Sequence, residues 1–207
     1  LSTVVLYRVA TRHGRTSVAT MLLAGIALAA LSGALTGILV YKADDNQLRD
    51  IAFWNMGSVA AATWSKLGVA GPLIILGLIA APFLAKSFNA LALGEAEARH
   101  LGINVQLTKT ISILLVAASV GASVAVTGGI GFVGIIVPHL LRLIQGPDHR
   151  GLFINAALLG AIMLLVADAI SRTIIAPSEL PIGILTALIG GPFFIWILLR
   201  NKGAFEL

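Results

Sequence analysis

Apolar residues in this chain run together in blocks instead of alternating with polar ones. Five blocks, 17–40, 69–85, 110–127, 152–170 and 181–199, have the length of membrane-crossing helices. A helix rises about 1.5 Å per residue, so a hydrocarbon core of about 30 Å takes about 20 apolar residues. A sixth block, 132–144, is shorter and contains Pro138. A run of that length also suits a core helix or a re-entrant piece. Counting it as a crossing makes the loop charges alternate from side to side. The pattern predicts an all-α, polytopic transmembrane helical bundle. One integral membrane domain covers 1–207, with no linker, low-complexity tract or internal repeat.

Composition agrees. The chain is 58% hydrophobic and 11% charged, where a soluble domain carries roughly 25% charged residues. So little charge cannot cover a protein surface in water, and lipid must cover part of it. The net charge of +5 does not indicate nucleic acid. The basic residues sit in short loops between apolar blocks, with no basic face and no interleaved aromatics. Without cysteine there is no disulfide framework and no thiolate metal site. The chain begins at Leu1 inside an apolar run with no signal-peptide pattern, and further residues are expected upstream.

Six crossings that start on the cytoplasmic side place Arg8, Arg12, Arg15, Lys86, Arg99, Lys109, Arg142, Arg150, Arg200 and Lys202 inside. Lys42, Arg49, Lys66 and Arg172 fall outside. The asymmetry follows the positive-inside bias. Tyr41, Trp54 and Trp64 fall at the outer boundary and Trp196 near the inner one, where amphipathic rings anchor. Lipid supplies no hydrophobic drive between helices, so small residues must let backbones approach. Gly25, Gly33 and Gly37 line the first block, the last two in GxxxG spacing, and the third carries the small residues Ala117, Ala118, Ser119, Gly121, Ala122 and Ser123. Packing within one subunit and a subunit interface or pore wall both fit.

Three polar or irregular stretches could carry function. Segment 89–103, NALALGEAEARHLGI, is too polar to cross and falls on the inner side. Glu95 and Arg99 stand four apart in the favourable acid-first order, and Gly102 sits where a helix would stop. A short cytoplasmic helix is predicted, as an interfacial surface helix or a docking element for a soluble partner. Segment 127–142, TGGIGFVGIIVPHLLR, carries Gly128, Gly129, Gly131, Gly134 and Pro138. Irregular backbone at membrane depth must be covered by protein or line a cavity, so this piece is expected to be buried near a pathway. His139 within it reads as a packing residue. Asp168 and Arg172 stand four apart near the outer end of the fifth block. They form a mutual ion pair, or Arg172 faces outward to an acidic partner; Glu179 follows in a loop whose Pro177 and Pro181 favour a fixed turn.

No enzyme signature is present. The chain has no GxxxxGK[ST] phosphate loop and no H-E-x-x-H. Gly121-Ala122-Ser123 gives only a faint hint of an intramembrane protease. A passive channel is the rival from another class.

Taken together, ALGEAEARHLGI (92–103), TGGIGFVGIIVPHLLR (127–142) and SELPIGILTALIGGPFFIWILLR (178–200) resemble the FecCD-type permeases. These are ABC importer subunits for iron-siderophores, haem and vitamin B12. FWNMGS (53–58) and segment 148–172 resemble the family too, in the same order along the chain. Members have about ten spans, and this chain is similar to the last six. The resemblance implies a homodimer of permeases in the bacterial inner membrane, with the pore at the dimer axis. It further implies two ATPase subunits that hold ATP-Mg, and a periplasmic substrate-binding protein. The chain itself would bind no cofactor and no metal. By the same resemblance Leu93, Gly94, Glu95, Ala98, Arg99, Leu101 and Gly102 couple to the ATPase, and Arg172 meets the binding protein. Gly25, Gly33, Gly37, Gly128, Gly131, Gly134 and Pro138 serve the pore and its packing. Haem or a ferric chelate is the expected cargo, with a corrinoid as the alternative.

Overall fold

A computed structural model describes residues 11–12, 15–16, 18–175 and 178–200. Arg8, His13, Ser17, Pro177 and Lys202 lie outside them. Apart from a two-residue antiparallel pairing of β1 (Thr11–Arg12) with β2 (Arg15–Thr16), the described elements are helical. They are α1 (Val18–Lys42), α2 (Asp45–Met56), α3 (Trp64–Ala80), α4 (Ala85–Leu91), α5 (Glu95–His100), α6 (Val105–Thr127), α7 (Val133–Gln145), α8 (His149–Ile174) and α9 (Ile182–Arg200). A 3₁₀ turn, Ala81–Leu84, joins α3 to α4; Pro82 there lacks the N–H that an α-helical turn would need.

Four helical stretches are long and apolar enough to cross a membrane: Leu22–Lys42, Trp64–Leu91, Val105–Thr127 and His149–Ile174. Val133–Gln145 and Ile182–Ile197 are shorter apolar helices. Local chemistry sets their starts. Thr63 Oγ1 accepts from Lys66 N at 3.3 Å, Asn104 Oδ1 from Leu107 N at 3.0 Å, and Asp148 Oδ1 from Arg150 N at 2.9 Å. Each satisfies an N–H that has no partner within its helix.

Two elements differ from the sequence reading. Residues 45–56 form α2, opened by a capping box: Gln47 N donates to Asp44 Oδ1 at 2.8 Å and Asp44 N to Gln47 Oε1 at 3.2 Å. The single helix expected within 89–103 is two. Gly94, at φ 114° and ψ 154°, breaks it in a conformation essentially confined to glycine.

Antiparallel packing gives the bundle two ends. α3 lies along α6, where Gly77 leaves room for the Ser119 hydroxyl, which donates to Leu73 O at 3.2 Å. α7 lies along α8 through a core of Val137, Leu141 and Leu152. The 127–142 piece thus meets its expected burial on one face: Ile136, Val137 and Leu141 are buried and Pro138 is half-buried, while Gly131 and Gly134 are exposed. α1 stands bare. Residues 29–42 are exposed, and Cβ atoms placed at Gly25, Gly33 or Gly37 would meet nothing within 4 Å. The small-residue face packs against no other part of the described chain.

Phe132 opens α7 in the left-handed region, at φ 67° and ψ −29°. A bulky residue there is a conformational outlier. Its ring occupies the space beside Gly190 of α9, where a Cβ would come within 2.3 Å of the Phe132 Cβ.

Candidate functional site

The α4–α5 end is built on a small core. Ala90, Ala98 and Val105 are buried together, with Leu91 and Ile103 packed against them. α5 ends in a Schellman motif. Ile103 N donates to Ala98 O at 3.0 Å and Gly102 N to Arg99 O at 2.9 Å, with Gly102 at φ 78°. Ile103 packs on Ala98, the apolar contact that accompanies this motif. The seat is therefore rigid, and the opposite face is left outward: Leu93, Glu95, Glu97, Arg99, His100 and Leu101 are exposed.

The expected Glu95–Arg99 pair is present at 3.7 Å, yet Glu95 has a closer partner in Lys109 of α6. The Lys109 hydrogen bond holds the Glu95 carboxyl below its ordinary range, with the Lys109 and Arg99 charges adding to the effect. Both are exposed pairs, so each stabilises by less than about 1 kcal/mol. The Lys109 pair links α5 to α6, while the Arg99 pair lies within α5.

A second set of contacts ties this end to α8. Asn89 Nδ2 donates to Asp148 Oδ1 at 2.6 Å. His149 N donates to Asn89 Oδ1 at 2.9 Å, and His149 Nδ1 lies 2.8 Å from the same oxygen. Phe88 stacks on the His149 ring at 5.7 Å between centroids and meets Phe153 edge-on at 5.7 Å. Sequence reasoning missed this cluster, since its partners are 59 and 60 residues apart and the only local signal was Asp148 as a helix cap.

At the far end of α8, Arg172 Nε donates to Asp168 Oδ2 at 2.8 Å, and Arg172 also lies 3.9 Å from Glu179. The mutual ion pair read from the i,i+4 spacing is present, and Arg172 is still 44% exposed beside it. Leu180 N donates to Ser171 O at 3.1 Å and seats the following loop. The other Asp168 oxygen, Oδ1, is buried without a partner.

The same end holds a glycine junction. A Cβ at Gly183 would lie 1.9 Å from Met56 O, and one at Gly128 would lie 1.9 Å from Trp54 O. Ser58 N donates to Thr127 O at 2.8 Å. The end of α2, the end of α6 and the start of α9 thus touch backbone to backbone. Gly128 was singled out from sequence. Gly57 and Gly183 were not, although FWNMGS and SELPIG contain them.

Other candidate groups take structural roles. The His139 ring lies edge-on to Phe193 at 6.2 Å, as a packing residue would. The Ser123 hydroxyl donates to Ser119 O at 2.8 Å, with no base beside it in that bond. Among the described residues no group of three His, Asp or Glu could hold a metal ion. A 400 Å³ cavity between α4, α7 and α8 is lined by Phe88, Val137, Pro138, Arg142, His149 and Phe153, among others.

The FecCD transport family matches residues 1–200. The hemin transport system permease protein HmuU of Yersinia pestis is 50% identical over 191 residues, covering 92% of this chain and 57% of that protein. The vitamin B12 import system permease protein BtuC of Vibrio cholerae is 44% identical over 193 residues, covering 92% and 57%. Among solved structures, a metal-chelate-type ABC transporter in an inward-facing conformation superposes with TM-score 0.82 at 36% identity, covering 89% of this chain and 60% of that one. The chain thus spans somewhat over half the length of these curated relatives.

Proposed function

The chain belongs to the FecCD transport family, and from that premise we propose that it is the pore-forming permease portion of an ATP-driven importer in the bacterial inner membrane. It works as a homodimer and takes cargo from a periplasmic binding protein. It passes the cargo along the dimer axis while two separate ATPase subunits hold and hydrolyse ATP-Mg. The α4–α5 end faces the cytoplasm and the Arg172 end faces the periplasm.

One observation carries this reading beyond family membership. The α4–α5 element has a rigid apolar seat and an outward face of apolar and charged side chains that nothing in the described chain covers. A docking knob needs that combination: the seat transmits displacement and the outer face makes contacts that differ between states. In the complete transporter, Glu95→Ala or Arg99→Ala should leave ATPase activity in place and lower cargo uptake. Wild-type uptake in both would remove the docking role. Capture of the ATPase by the full-length permease, with ATP hydrolysis stimulated by the binding protein, separates an importer from a passive channel.

Haem or a related ferric chelate is the favoured cargo, supported by the 50% identity to a hemin permease. A corrinoid is the second reading, supported by the 44% identity to a vitamin B12 permease. Competition between the two for uptake by one transporter decides between them.

A further inference from the structure

We infer that Asn89 is the joint that passes displacement of the α4–α5 element to α8, and through α8 to the Asp168–Arg172–Glu179 cluster at the opposite end. The inference rests on the proposed function, in which those two ends meet the ATPase and the binding protein.

The geometry of Asn89 admits one arrangement. Its Oδ1 faces the His149 backbone N–H at 2.9 Å and the His149 Nδ1 at 2.8 Å. The backbone N–H can only donate, so the atom facing it is the amide oxygen. Nδ2 then points at Asp148 Oδ1, 2.6 Å away. Asp148 Oδ1 also accepts from Arg150 N at 2.9 Å, as the N-cap of α8. One side chain on the α4–α5 element thus grips both the cap and the first residue of α8. A pull on Asn89 is applied to the first turn of that helix.

α8 suits the transmission of such a pull. It runs unbroken for 26 residues, about 39 Å at 1.5 Å per residue. It contains no proline, whereas α3, α7 and α9 carry Pro72, Pro138 and Pro192, and proline is the commonest origin of a kink. Its last turns carry Asp168 and Arg172 and accept the Leu180 N–H at Ser171. Movement at His149 therefore reaches the outer cluster without a hinge between. Asn89 acts as a positioning residue, through hydrogen bonds to α8 and not through contact with cargo or nucleotide.

The test uses the full-length permease with its ATPase and binding protein in lipid nanodiscs, comparing basal ATP hydrolysis with hydrolysis stimulated by the binding protein. Asn89→Asp sets two carboxylates against each other. It should lower the stimulation about fivefold or more, the scale of a typical coupling energy, and leave basal hydrolysis and co-purification of the ATPase unchanged. Asp148→Asn alone should behave as wild type, because its Oδ1 still accepts from Asn89 and from Arg150 N. If Asn89→Asp does not accumulate, Asn89→Ala gives the same reading without a new charge. Full stimulation in Asn89→Asp, or stimulation lowered as far in Asp148→Asn as in Asn89→Asp, overturns the inference. A wild-type complex that the binding protein does not stimulate instead overturns the functional reading beneath it.

Discussion

The two ends of the bundle are held by different means. At the Arg172 end, α2, α6 and α9 meet backbone to backbone across Gly57, Gly128 and Gly183. At the α4–α5 end, side chains make the contacts: Asn89 to Asp148 and His149, and Glu95 to Lys109 and Arg99. A backbone contact has one tight geometry and no rotamer to change. A side-chain contact can lengthen, rotate or exchange partners. The difference teaches where movement can enter this protein, and it enters where the joints are made of side chains.

The largest expected effect comes from a single methyl group at the glycine junction. Gly183→Ala puts a Cβ 1.9 Å from Met56 O, and relieving the clash requires shifting α2 or α9. Overpacking of this kind costs about 1–3 kcal/mol or more, read as a lower thermal midpoint in detergent. An unchanged midpoint would show that the junction is not as tight as described.

Gly102→Ala is the matched probe at the other end. There a Cβ meets nothing, and only the φ of 78° resists it. The left-handed conformation costs a non-glycine residue about 1–2 kcal/mol. Because α5 is short, the loss should appear as local fraying in hydrogen exchange, with little change in global unfolding.

Arg172→Glu should weaken capture of the binding protein, about fivefold at low ionic strength and less in about 0.5 M salt, because exposed charges act mainly through screened steering. Equal affinity at both salt concentrations would count against Arg172 as a docking residue.

The smallest effect is that of pH. Glu95 is held below its ordinary range by Lys109, and Asp148 by the Arg150 backbone N–H and the Asn89 side chain. A depressed folded-state pKa stabilises above the unfolded values of about 4.3 and 3.9, and the contribution disappears as pH falls through the lower folded ones. The part of the unfolding midpoint that these two carboxylates supply should be level from about pH 8 to 5 and fall only below about pH 4. A drop between about pH 7 and 6 would implicate a histidine instead.

Much of this was legible in the chain because it is local. Length and hydropathy placed the apolar helices, i,i+4 spacing found Glu95–Arg99 and Asp168–Arg172, and Gly102 marked a helix end. Asp44 and Gln47, three apart, were a readable start for α2. That helix went unseen because its mixed sequence has no apolar run long enough to cross. The stronger partner of Glu95 could not be read, since Lys109 lies on the next helix, past the Schellman turn. The Asn89–Asp148–His149 cluster was out of reach for the same reason: it exists only once α4 and α8 lie side by side. The bare face of α1 was beyond sequence too, because a GxxxG pattern does not reveal whether its partner belongs to the same chain.

Phe132 lends the bundle a further property. Its ring sits beside α9 where residue 190 has no side chain, and its own backbone there is left-handed, at φ 67°. Relaxing that backbone would withdraw the ring, and sliding α9 would evict it. The entry to α7 and the position of α9 are thus a single mechanical variable, a latch with one catch, and a gate built from either helix would have to move both.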